Sequence, residues 1–214
     1  MTISNESRGR IKQIFEPIAL AMGRAGLTPN GLTLIGFAIT AVGSVLVGLQ
    51  LWVIGGIVVF FGGVFDMFDG TLARATGQTS PLGAFMDSTF DKAGEILVFL
   101  GIIAGLLAAG AADVPILVAA AAMGASIMVS YTRAKSDGLG FSSGMGLAAV
   151  GVMPREVRLV IISIGIVLTG TSVGITAIEV ANGVILVGAV ITVIQRILYV
   201  RQQDQGSSDP STTH

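Results

Sequence analysis

Residues 52–109 read WVIGGIVVFFGGVFDMFDGTLARATGQTSPLGAFMDSTFDKAGEILVFLGIIAGLLAA. Two apolar runs, about 52–74 and 82–109, flank a short polar break at Gly77-Gln78-Thr79-Ser80-Pro81. Each run reaches the ~20 residues that a helix needs to cross a bilayer. Yet Asp66, Asp69, Asp87 and Asp91 lie inside them. An unpaired charge at the bilayer centre costs roughly 2.5–3.5 kcal/mol on the insertion scale. Four such carboxylates must therefore face a polar cavity or be neutralised by a cation.

Their spacing predicts convergence. Asp66 and Asp69 are three residues apart and share a helix face, which Gly70, Ala73 and Arg74 continue. Asp87 and Asp91 are one turn apart on the following helix. The short break predicts that the two helices are antiparallel neighbours, with all four carboxylates at similar depth. Gly70 and Gly83 keep the approach open, whereas Gly101-x-x-x-Gly105 reads as a helix-packing motif.

The rest of the chain agrees with a membrane setting. Of 214 residues, 52% are hydrophobic and only 12% charged, and the mean hydropathy is +0.84. Soluble domains carry about 25% charged residues. Six apolar segments are expected, at about 30–49, 52–74, 82–109, 113–136, 155–174 and 178–201. The fold class is thus an all-α integral membrane protein. Its six transmembrane helices form one unit over residues 27–201. An amphipathic interfacial helix precedes them in residues 1–26, where Ile11, Ile14, Phe15, Ile18 and Met22 recur at helical spacing between charged residues. Pro17 should bend or split it. Residues 202–214 are polar and expected to be disordered.

With six spans, the lysines and arginines gather at the termini and at the second-to-third and fourth-to-fifth connections. The opposite connections carry only Asp113 and Glu179. The positive-inside rule then places termini and aspartates on the cytoplasmic side of the cell membrane. Cysteine is absent and His214 is the single histidine. A thiol metal site is excluded, a lone terminal histidine argues against a histidine site or base, and acid–base work is expected from Asp, Glu, Lys, Tyr or water. Oxygen donors alone suit Mg²⁺ or Mn²⁺, and four carboxylates suffice for two ions. Structural ion pairs with Arg74 and Lys92, or a cation path in a transporter, are open to the same residues.

The nucleotide-type signals are the two helix starts. Thr28-Pro29-Asn30 and Ser80-Pro81 each read as a cap followed by a first-turn proline. Simple capping explains either alone. Together they aim free N–H groups and positive helix ends at the aspartate side, which favours phosphate.

Residues 66–91 fit the pattern D-x₂-D-G-x₂-A-R-x₈-G-x₃-D-x₃-D at every fixed position. The chain in this respect resembles the CDP-alcohol phosphotransferase family. The resemblance implies that Asp66 and Asp87 bridge two metal ions, that Asp69 binds one, and that Asp91 binds the other and acts as general base. It also implies that Pro29, Asn30, Gly31, Leu32, Gly70, Ala73, Arg74 and Ser80 contact CDP-diacylglycerol, and that the enzyme is a homodimer among membrane lipids. No nucleic-acid role is expected.

A second polar group lies apart from the signature. Ser130–Lys135, Pro154–Leu159 and Gln195-Arg196 are similar to segments of the phosphatidylinositol-phosphate synthases of bacteria and their archaeal relatives. The order Arg133 then Lys135 is reversed relative to some of these, and Pro154 and Val157 depart from the pattern. The resemblance implies that Arg133, Lys135, Arg155 and Arg196 hold the phosphate of inositol 1-phosphate; glycerol 3-phosphate fits the basic cluster almost as well, since it too brings a phosphate. Arg158 and Arg201 are instead expected to meet lipid headgroups.

Overall fold

The computed structural model describes residues 5–141, 147 and 150–207, with side chains from residue 15 to 205 of these. The described residues form seven helices: α1 (Asn5–Arg24), α2 (Pro29–Gly48), α3 (Trp52–Thr76), α4 (Pro81–Ala108), α5 (Asp113–Gly138), α6 (Arg155–Thr169) and α7 (Thr176–Ser207). No strand occurs among them.

The helix starts are fixed locally. Thr28 caps α2, its Oγ1 accepting from Gly31 N at 3.1 Å, and Ser80 caps α4, its Oγ accepting from Gly83 N at 3.0 Å. Proline follows each cap in the first turn. At the other end of the break, Gly77 closes α3 in the left-handed region, φ +67°.

Packing follows small residues. Lipid is as apolar as leucine, so membrane helices associate through close contact rather than through exclusion of water. A Cβ on Gly43 would lie 2.8 Å from Val59 N, and one on Gly55 2.8 Å from Val47 N, so α2 and α3 touch backbone to backbone. Gly101 and Gly105 of α4 bring that helix equally close to the Ser44 and Val47 carbonyls of α2, as expected of a packing motif. α2 therefore lies against both α3 and α4, and those two barely touch each other. This corrects the expectation that α3 and α4 are direct neighbours. Their separation opens the cleft described below. Val47, Val59, Phe99, Ile102, Ile166 and Ile185 fill the main core, while Val45, Leu117, Val187 and Ile197 point outward and exposed.

Four helices, α2, α3, α5 and α7, are long and apolar enough to cross a membrane. α4 holds Asp87, Asp91, Lys92 and Glu95, and α6 has 15 residues. α1 runs through Pro17 without being split. Phe15 and Met22 pack on Ala19, Leu32, Phe68 and Leu72, with the Phe15 and Phe68 rings 5.1 Å apart. The side chains of Arg8, Arg10, Ile11, Lys12 and Ile14 lie outside the described residues. The irregular tail expected from Gln202 is helical as far as Ser207; residues 208–214 also lie outside the description.

Candidate active site

All four aspartates open on one cleft of about 1020 Å³, lined with them by Phe15, Gly70, Arg74 and Arg155. Asp66 and Asp69 descend from α3, Asp87 and Asp91 from α4, as the spacing predicts. The neutralising cation in this structure is Arg155, the first residue of α6. Its Nη2 donates to Asp66 Oδ2 at 2.8 Å and lies 2.7 Å from Asp91 Oδ1. Asp69 is buried, accepts from Thr33 Oγ1 of α2 at 2.5 Å, and also accepts from the Gly70 N–H.

Among the described residues, no three carboxylates stand close enough to form a coordination shell as the side chains lie. Arg155 holds Asp66 and Asp91, and Thr33 holds Asp69. The donor set nevertheless fits a hard divalent cation: four carboxylates share one cleft, and no histidine or cysteine stands among its lining residues.

A second recess of about 170 Å³ opens between the N-termini of α2 and α4. Pro29, Asn30, Gly70, Ala73, Arg74 and Ser80 line it, together with Thr33, Asp69, Gln78 and Asp87. Six of the eight residues expected to contact a CDP-lipid are thus gathered in one place. Two are not. The Gly31 N–H is taken by the Thr28 cap. Leu32 is fully buried among Ala19, Phe68 and Leu72, so its apolar side chain is spent on the core.

The four residues expected to hold the acceptor phosphate differ in their surroundings. Arg155 alone enters the cleft. Arg133 is exposed and sits 3.9 Å from Asp137 of its own helix, and Lys135 is exposed nearby. Arg196 is only 4% exposed; it donates to the Val150 carbonyl at 3.1 Å and to the Val129 carbonyl. Arg158 corrects the headgroup expectation outright: it is 3% exposed and forms a two-pronged pair with Glu95, Nε to Oε1 at 2.8 Å and Nη2 to Oε2 at 3.2 Å. Glu95 went unnoticed in the sequence, although it lies one turn past Asp91 on the same face.

The chain matches the CDP-alcohol phosphatidyltransferase family over residues 26–195. It belongs to that family. It is accordingly a CDP-alcohol phosphatidyltransferase and a multi-pass membrane protein. Among its relatives, the archaetidylinositol phosphate synthase of Pyrococcus horikoshii is 34% identical over 196 residues, covering 92% of this chain and 95% of the relative. The crystal structure of Mycobacterium tuberculosis phosphatidylinositol phosphate synthase with CDP-diacylglycerol bound superposes with a TM-score of 0.78 at 29% identity, covering 88% of this chain and 94% of that one. The same enzyme in complex with manganese and citrate gives 0.76 at 30% identity, covering 87% and 88%.

Proposed function

We propose that this transferase moves the phosphatidyl group of CDP-diacylglycerol to inositol 1-phosphate, releasing CMP and forming phosphatidylinositol phosphate. One observation carries the reading: the four signature aspartates, Arg155 and the paired N-termini of α2 and α4 border connected recesses that share Asp69, Gly70, Arg74 and Asp87.

Asp66, Asp69, Asp87 and Asp91 would hold two divalent ions, Mg²⁺ or Mn²⁺. When bound, these neutralise the pyrophosphate and stabilise charge on the leaving phosphate. The helix starts at Pro29 and Ser80 receive the nucleotide phosphates, with Asn30, Gly70, Ala73 and Arg74 around them. Arg155 orients the acceptor phosphate beside Asp91. Asp91 accepts the acceptor's hydroxyl proton. That oxygen then bonds to the lipid-side phosphorus, the bond from this phosphorus to CMP breaks, and the electron pair leaves with CMP. Arg133 and Lys135, both exposed, form the outer approach for an anionic acceptor, and Arg196 joins them only by giving up the Val150 and Val129 carbonyls.

In this reading α2–α7 are six spans and α1 is interfacial. α6 rises only about 22 Å at 1.5 Å per residue, short of a ~30 Å hydrocarbon core. Its first residue, Arg155, lines the cleft, so on this reading the helix starts below the cytoplasmic edge and need not reach further. The termini and the cleft face the cytoplasm, and the chain pairs as a homodimer.

The test is CMP release by the purified protein with CDP-diacylglycerol, Mg²⁺ and a panel of acceptors. Release with inositol 1-phosphate supports the assignment. Release with glycerol 3-phosphate alone overturns it, and no release with any acceptor overturns the enzyme. The archaeal relative favours a second lipid, so a CDP-activated ether lipid belongs in the same panel.

A further inference from the structure

Arg158 and Glu95 take no part in the chemistry proposed above, yet they form a buried ion pair inside the helix bundle. Charged side chains within membrane helices are rare and mark function more often than packing. All three nitrogens of the Arg158 guanidinium are engaged. Two of its nitrogens grip Glu95, and Nη1 donates to the Met153 carbonyl at 2.9 Å. The Met153 N–H in turn donates to Thr192 Oγ1 of α7 at 3.0 Å. Lys92 adds a second cation on Glu95, Nζ to Oε2 at 2.9 Å.

This chain of contacts runs from α4 through α6 to α7 and fixes both backbone polar groups of Met153, its N–H and its carbonyl. Pro154, the N-cap of α6, and Arg155, its first residue, follow directly. Two rungs thus join α6 to α4: Arg155 to Asp91, and Arg158 to Glu95 one turn deeper. The outer rung must open when ligands enter the cleft, because Arg155 and Asp91 both have work there. Both rungs border a small cavity of about 50 Å³; Asp66, Asp91 and Arg155 stand on its lining with Glu95 and Arg158, and most of the rest is apolar, among them Phe37, Val59 and Phe99. The inner rung holds no group that the ligands need. It can stay closed throughout.

We infer that Glu95 and Arg158 are positioning residues for the acceptor side of the reaction. They hold the first turn of α6 against α4, so that Arg155 stays within reach of Asp91 when its guanidinium turns from the carboxylates to an acceptor phosphate. The inference rests on the transferase reading and concerns any phosphorylated acceptor.

Glu95→Gln and Arg158→Lys test it, with initial rates measured against each substrate in turn. The expected result is a roughly tenfold rise in the acceptor KM and a fall in kcat, because small misplacements of a positioning group are costly, with the KM for CDP-diacylglycerol within about twofold of the parent. Glu95→Asp should recover part of the loss. Thr192→Val, which loosens the same peptide from α7 without touching a charge, should shift the acceptor KM in the same direction by less, and it serves if the charge variants do not fold. Folded variants with an unchanged acceptor KM, or with both KM values moved equally, overturn the inference while leaving the transferase reading intact. A parent protein that releases no CMP with any phosphorylated acceptor overturns both.

Discussion

Arg155 Nη2 stands 2.7 Å from Asp91 Oδ1, so the cation expected to orient the acceptor is bound to the expected base. It holds Asp66 in the same grip. A guanidinium between two carboxylates occupies the lone pairs that a divalent ion would need. If these carboxylates hold the metal as proposed, metal binding and release of Arg155 are one exchange. Arg155→Gln removes the competitor. Its metal dissociation constant, measured by Mn²⁺ titration calorimetry, should fall severalfold, in line with the usual 1–3 kcal/mol of coupling between linked sites, while the acceptor KM rises. An unchanged or weaker metal affinity would mean that the guanidinium leaves the carboxylates without competition.

Asp91→Asn keeps the shape of the side chain and removes its capacity to take a proton. CMP release should drop by at least about a hundredfold, the usual contribution of a general base. CDP-lipid binding should persist, because the recess between the α2 and α4 N-termini does not include Asp91. Turnover in this variant equal to the parent would remove Asp91 from that role; equilibrium binding of CDP-diacylglycerol checks the second half.

How far the sequence reaches depends on the range of each interaction. The Thr28 and Ser80 caps and the same-face aspartates were legible because they depend on residues three or four apart. The placement of α2 between α3 and α4 was not, since small residues are scattered over several apolar helices and nothing local says which glycine meets which backbone. The basic residues show the same limit. Arg155 and Arg158 lie one turn apart at the same helix start, and charge sidedness treats them alike; only the fold sends one into the cleft and buries the other on Glu95. For Glu95 a signal did exist, its spacing of four from Asp91, and so did one for the extension of α7, because Gln202, Gln203 and Gln205 are adequate helix formers.

Thr33 offers a prediction the aspartate signature does not contain. Its hydroxyl donates to Asp69 Oδ2 at 2.5 Å across the α2–α3 contact. It fixes one carboxylate oxygen and leaves the carboxyl orientation few alternatives. Partners that orient metal ligands typically contribute 10–100-fold to metal affinity or activity. Thr33→Val preserves volume and should weaken Mn²⁺ binding by roughly tenfold on that scale, with thermal stability little changed. The matched measurement is Mn²⁺ titration beside a melting curve. A variant that binds metal like the parent would show that Gly70 N–H alone suffices to orient Asp69.

Gly36 is buried in α2 where a Cβ would run into the Asp66 carboxylate, with Asp66 N 3.4 Å away. Asp66 is also the carboxylate Arg155 holds. Gly36→Ala therefore has two outcomes available to the protein. The Asp66 side chain can rotate away, which leaves the fold intact and spoils the site, or α2 can retreat from α3, which loosens the whole packing. The carboxylate is a side-chain end with a rotamer to give, while the α2–α3 contact is backbone against backbone at Gly43 and Gly55. The first outcome should win. Gly36→Ala should express and melt near the parent temperature, lose at least about tenfold in CMP release through misplacement of Asp66, and bind Mn²⁺ more weakly. Gly43→Leu, which strikes Val59 N in the same interface, should instead lower the melting temperature, as overpacking of a close contact does. If the two variants behave alike, Gly36 is a packing position and nothing more.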